Sequence, residues 1–131
     1  MTYLYKLGYQ CSIPYGENSR YDLIADINHK LIRIQVKTAS IKKGNEDTIE
    51  FSCRSTCVNT QGNKTKRYTA DEIDYFATYW DNQCYLIPVS ECSVTKTLRF
   101  KYPASGQKEK ISLAKDYIAE LQISKIKEEV V

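Results

Sequence analysis

Three polar side chains set into two apolar runs carry the most distinctive chemistry of this chain. Asp22 lies within Tyr21 to Ile27, and Gln35 and Lys37 lie within Leu31 to Ala39. Both runs alternate with the period of a strand. Asp22, Ile24 and Asp26 then share one face of the first strand. Leu31, Arg33, Gln35 and Lys37 share one face of the second, and Ile32, Ile34 and Val36 line the other. Asn28-His29-Lys30 is a tight polar connection, so an antiparallel hairpin sets Asp22 beside Gln35 and Lys37 where the faces match. A carboxylate, an amide oxygen and an ammonium on one sheet edge can bind a hard divalent cation and position a water. The plain structural alternative for Asp22 is a strand-end ion pair with Arg20 or Arg33. For Gln35 and Lys37 it is solvent exposure on a strand.

These residues need a scaffold, and the rest of the chain supplies one. Thr2 to Leu7 reads as the last turns of a helix that Gly8 stops. Tyr9 to Ile13 is a short strand, Pro14 to Arg20 a turn region, and Thr48 to Arg54 a fourth strand. Lys42 to Asp47 is polar with a Gly, and Asn59 to Arg67 holds no apolar residue and reads as a loop. Thr69 with Glu72 three residues on forms a capping box for a helix over Ala70 to Tyr79, whose apolar stripe is Ile73, Phe76, Ala77 and Trp80. Cys84 to Val89 and Thr95 to Tyr102 are strands. Ser112 is placed to cap a last helix carrying Ala114, Tyr117, Ile118 and Leu121, with fraying beyond Ile123. The order predicts an α/β fold, a mixed central β-sheet flanked by helices. One domain spans 1–123, and 124–131 is a charged C-terminal tail.

At the same residues the chain resembles the PD-(D/E)XK nuclease superfamily. Asp22, Gln35 and Lys37 stand where that superfamily has its Asp, its Glu or Gln, and its Lys. The wording from Gly8-Tyr9 through Ile13-Pro14 and Tyr21-Asp22-Leu23-Ile24 to Gln35-Val36-Lys37-Thr38 is similar to a small branch that includes group I intron homing endonucleases with Gln at the second position. Asp74-Tyr75-Phe76, Tyr85-Leu86-Ile87-Pro88 and Ile111 to Tyr117 agree, so the resemblance covers nearly the whole chain. It implies a restriction-endonuclease-like core and a Mg²⁺-dependent DNA endonuclease, with Mn²⁺ as substitute ion. Asp22 and Gln35 would hold the metal, and Lys37 would orient the nucleophilic water or hold the scissile phosphate. It also implies an acidic residue on an N-terminal helix. No Asp or Glu precedes Glu17, so that helix reads as truncated, and Glu17 is a possible additional acid. The competing expectations are a catalytically impaired DNA-binding protein with the nuclease fold, and a protein-interaction domain using the acidic helix Asp71 to Asp81.

Charge distribution fits a nucleic-acid partner better than net charge does. The formal charge is only +3, yet Arg20 to Arg67 holds ten Lys or Arg against five Asp or Glu. Lys42, Lys43, Lys64, Lys66 and Arg67 are candidate phosphate contacts, joined by Ser19, Arg20 and Arg33 near the turn and hairpin. The expected partner is double-stranded DNA, bound by a homodimer or homotetramer, since a paired cut needs symmetric copies of a single site. Other chemistries are poorly served. His29 is the only histidine, and the five cysteines have no zinc-ligand spacing. No apolar run approaches the ~20 residues of a membrane span. Free thiols suit a reducing, cytoplasmic setting.

Overall fold

The computed structural model describes residues 1–16, 18–59, 62–102, 105–106 and 111–129, with only the backbone described at 56–59 and 62–65. Its elements are α1 (Thr2–Lys6), β1 (Gln10–Ser12), β2 (Leu23–Ile27), β3 (Lys30–Val36), β4 (Ser40–Lys42), β5 (Asn45–Ser52), β6 (Arg54–Asn59), β7 (Gly62–Arg67), β8 (Tyr75–Trp80), β9 (Gln83–Pro88), β10 (Thr95–Arg99) and α2 (Ala119–Glu129). Five strands form a mixed sheet in the order β1-β2-β3-β8-β9, in which β3 and β8 are parallel and the other neighbours antiparallel. A second sheet has the order β10-β5-β4, and β6 and β7 make a separate two-stranded ribbon.

Alternation explains how the layers stack. Leu23, Ala25, Ile27, Ile32, Ile34, Ala77 and Leu86 leave one face of the large sheet and pack on Leu4 of α1 and on Ala119, Ile123 and Ile126 of α2. Phe76, Tyr85 and Ile87 leave the other face and meet Ile49, Phe51 and Leu98 of the second sheet. The fold is therefore α/β, strand-rich, with the mixed sheet between helices and a smaller sheet.

The β2–β3 hairpin forms as its sequence suggests. Asn28 and His29 take φ of 51° and 72°, the left-handed pair that a two-residue hairpin turn requires. Asp26 Oδ1 accepts the His29 amide at 2.9 Å. The observed register pairs Leu23 with Ile34 and Ile24 with Arg33.

Several expectations are corrected. The capped helix over Ala70 to Tyr79 does not form. Its first turn does: Ile73 N donates to Thr69 O at 3.1 Å, and Glu72 Oε1 accepts the Thr69 amide at 3.1 Å. Tyr75–Trp80 is then β8, joined to β9 by Asp81 and Asn82 at φ of 48° and 64°. A strand buried on both faces shows no alternation, so its apolar spacing imitates a helix; Phe76 enters one cluster and Ala77 the other. The acidic helix of the protein-interaction reading is thereby absent. Gly62–Arg67, expected as loop, is β7, paired with β6 from Arg54↔Arg67 to Asn59↔Gly62. Ser112 caps no helix. A 3-10 turn runs from Ala114 to Tyr117, and Ser112 Oγ instead accepts Lys96 Nζ at 2.9 Å. The expected fraying beyond Ile123 gives way to α2, which continues to Glu129 with Ile126 buried; residues 130–131 of the charged segment lie outside the described residues.

Candidate active site

The register that pairs Leu23 with Ile34 brings Asp22 opposite Gln35 one step further along. The Asp22 amide donates to Ile34 O at 2.8 Å, extending the ladder. Its carboxylate takes the next ladder position, Oδ2 accepting Val36 N at 2.8 Å. The aspartate thus closes the end of the hairpin with its own side chain. Gln35 is half-buried and pairs with Phe76 of β8. Two residues on, Lys37 has left β3 but its backbone is held at both ends: N donates to Ala77 O, and O accepts the buried Thr78 hydroxyl, each at 2.8 Å.

Lys37 is the most constrained charge of the group. Nζ donates to Arg54 O at 2.7 Å and stands 5.2 Å from the Tyr68 ring centroid. Burial pushes its pKa down; the Asp22 carboxylate opposes that, and the Arg20 guanidinium adds to it. Asp22 and Gln35 stand at opposed positions of the hairpin, and the field of Asp22 reaches Lys37.

The other basic residues divide into those committed inside the protein and those facing out. Arg20 donates Nε to Glu72 Oε2 at 2.8 Å, Nη1 to Ser55 Oγ at 2.6 Å and Nη2 to Arg67 O at 3.1 Å. Arg33 forks onto Asp74, with Nε to Oδ2 at 3.2 Å and Nη2 to Oδ1 at 3.1 Å, while Nη2 also reaches Ala70 O at 2.9 Å. Three of the five Arg20 N–H donors and four of the five Arg33 donors thus bind within the protein. Burial opposes ionisation of Glu72, yet the Thr69 amide, Arg20 and Lys66 outweigh it and hold the carboxyl below its ordinary value. Asp74 is likewise raised by burial and lowered further by Arg33. Ser19 is exposed, its hydroxyl donating to Tyr21 O. Lys42 and Lys43 are exposed at the β4–β5 turn. Lys66 and Arg67 are exposed on β7, with Lys66 Nζ 3.7 Å from Glu72. Lys64 lies on the same strand; its side chain, and all of Glu17, fall outside the described residues.

Tyr68, Arg54 and Thr78 were not legible as parts of the site. Each acts on Lys37 through a ring face, a main-chain carbonyl or a hydroxyl, from 17 to 41 residues away in sequence. No local spacing encodes such contacts.

The oxygen donors suit a hard cation. Asp22 uses one oxygen on Val36 N, and a carboxylate offers about four lone-pair sites; Gln35 adds an amide oxygen. Among the described residues no three His, Cys, Asp or Glu side chains stand close enough to hold a metal. The set fits an ion that keeps most of its waters, as Mg²⁺ does.

The family model for PD-(D/E)XK endonucleases matches residues 1–120, and the chain belongs to that family. Among solved structures, the fold is similar to that of a bacterial homing endonuclease, I-Ssp6803I, with a TM-score of 0.69 and 19% identity, covering 97% of this chain and 88% of that one. No curated protein matches the chain by sequence.

Proposed function

We propose that this protein is a Mg²⁺-dependent endonuclease of double-stranded DNA, homing-endonuclease-like, with Asp22, Gln35 and Lys37 as its catalytic residues. What supports the reading is the hairpin register, which sets Asp22 opposite Gln35, with Lys37 two residues on under the field of Asp22 and tied to the base of a ribbon that carries Lys66 and Arg67. Asp22 and Gln35 would hold the Mg²⁺, or Mn²⁺ in its place. The bound ion supplies charge neutralisation and an acidified water. Asp22 is fixed for this by Val36 N. Gln35 orients a water by its amide. Lys37, half-buried and charged, offers a point charge to the scissile phosphate or to the attacking water. Lys42, Lys43, Lys64, Lys66 and Arg67 would lie on phosphates, with Ser19 near the site. Arg20 and Arg33, with most of their N–H donors bound within the protein, would brace the site and offer the remaining ones to phosphate.

A paired cut from a single site calls for a symmetric assembly, a homodimer or homotetramer. An intracellular, cytoplasmic setting follows from the substrate and suits the free thiols. No helix among the described residues is long and apolar enough to cross a membrane.

A second reading is favoured by a specific observation: among the described residues, Asp22 is the one carboxylate whose field reaches Lys37. Gln35 is neutral and adds no charge for the ion, so a DNA binder with the nuclease fold and little activity is the alternative. Incubating supercoiled and linear DNA with excess protein, with and without Mg²⁺ or Mn²⁺, separates the two. Metal-dependent cutting that Lys37→Ala abolishes supports the endonuclease. Binding without cutting under every metal condition supports the impaired binder. Neither binding nor cutting removes both.

A further inference from the structure

The Tyr68 ring carries two cations. The Arg20 guanidinium carbon lies 3.9 Å from its centroid and Lys37 Nζ lies 5.2 Å from it. Its edge meets the Phe76 ring at 5.4 Å and 90°, which anchors it in the core. The same two cations hold the base of the β6–β7 ribbon. Arg20 binds Ser55 Oγ and Arg67 O, and Lys37 binds Arg54 O; Arg54 and Arg67 are themselves register partners. We propose that Tyr68 is a positioning residue that seats the Lys37 ammonium in the site, and that Arg20, clasping the ring, ties that seat to the ribbon carrying Lys66 and Arg67. This rests on the endonuclease reading for its consequence, but the seat itself is a property of the free protein.

The physics is that of a shared aromatic face. A ring attracts a cation within about 6 Å of its centroid, more strongly when water is excluded. Two cations on one ring repel unless anions offset them, and Glu72 on Arg20 and Asp22 near Lys37 do so. The charged and titratable groups that act on Lys37 are Asp22 ahead of β2, Arg20, and Cys53 between β5 and β6, with Tyr68 after β7. The coupling has a direction: phosphate pulling on the ribbon moves Arg54 and Arg67, hence the lysine.

The test is to follow the Lys37 ammonium of the free protein by NMR, reading its proton exchange with water and its nitrogen order parameter, in wild type, Tyr68→Leu, Tyr68→Phe and Arg20→Gln, and then to measure single-turnover cleavage with saturating protein. Tyr68→Leu should speed the exchange and lower the order parameter toward those of a surface lysine, and Arg20→Gln should do the same to a smaller extent. Tyr68→Phe, which keeps the ring, should stay at the wild-type values. In cleavage, Tyr68→Leu should lower the rate about ten-fold or more with DNA affinity nearly kept, and Phe should restore most of it. An ammonium equally ordered and equally slow to exchange in Tyr68→Leu and Arg20→Gln overturns the proposal even if DNA is cut normally. If Tyr68→Leu does not fold, the Arg20→Gln ammonium decides alone. A loosened ammonium in a protein that neither binds nor cuts DNA keeps the seat and rejects the endonuclease reading instead.

Discussion

At the scale of single residues, the chemistry is set by which charges are spent and which are available. Asp22 gives one oxygen to the Val36 amide, so Asp22→Asn should do two separable things. It should abolish Mg²⁺-dependent cleavage, measured on plasmid DNA, and leave the hairpin folded, because the neutral amide oxygen still accepts that hydrogen bond. Asp74 shows the opposite use of a carboxylate. Arg33 holds its pKa down against burial, so the pairing stabilises the fold above the ordinary aspartate range and is lost as pH falls through the lower, folded value. Urea midpoints followed from pH 6 to pH 2 should fall less steeply for Asp74→Asn than for wild type. A parallel fall in both would mean that Arg33 does not act on Asp74. Residue-level reading from sequence succeeded where the chain itself spaces the partners, as with Asp22 and Gln35 facing each other across a two-residue turn. It gave Arg20 and Arg33 as phosphate contacts without their internal partners Glu72 and Asp74, which lie far along the chain.

Among the elements, legibility followed burial pattern. The β2–β3 hairpin has one buried and one half-open face, so alternation survives in the sequence and Asn28-His29 marks its turn. His29 holds φ of 72° without being glycine. Replacing it by Gly, the preferred second residue of such turns, should stabilise the protein by about 0.5–1 kcal/mol in urea unfolding. β8 lost its alternation by being covered on both sides, and its first turn borrowed the signature of a helix start. β7 was silent for the opposite reason. Gly62–Arg67 holds only polar residues, so no apolar alternation marks it as a strand. Its charges should act on salt dependence. Replacing Lys64, Lys66 and Arg67 together with Ala should flatten the slope of log affinity against log salt by about 0.9 for each phosphate that these side chains neutralise. An unchanged slope would mean that this ribbon stays off the DNA backbone.

For the whole molecule, the mixed sheet is the rigid body, and both of its faces are needed. Ile34 is fully buried between β2 and β8 on the helix side; Ile34→Ala should cost about 2–5 kcal/mol in chemical unfolding. The site sits where that rigidity ends, on the face of β2 and β3 that the second sheet leaves partly open. The ribbon stands outside this arrangement. Among the described residues it pairs with neither sheet, and it is tied down by Arg20 and Lys37 at its base. That anatomy has a consequence over generations. The described ties of β6 and β7 to the rest of the chain lie at their base, whereas changes to β2, β3 or β8 strike packing and chemistry together. A lineage can therefore rewrite the ribbon repeatedly, altering what it grips, while inheriting the machinery behind it unchanged.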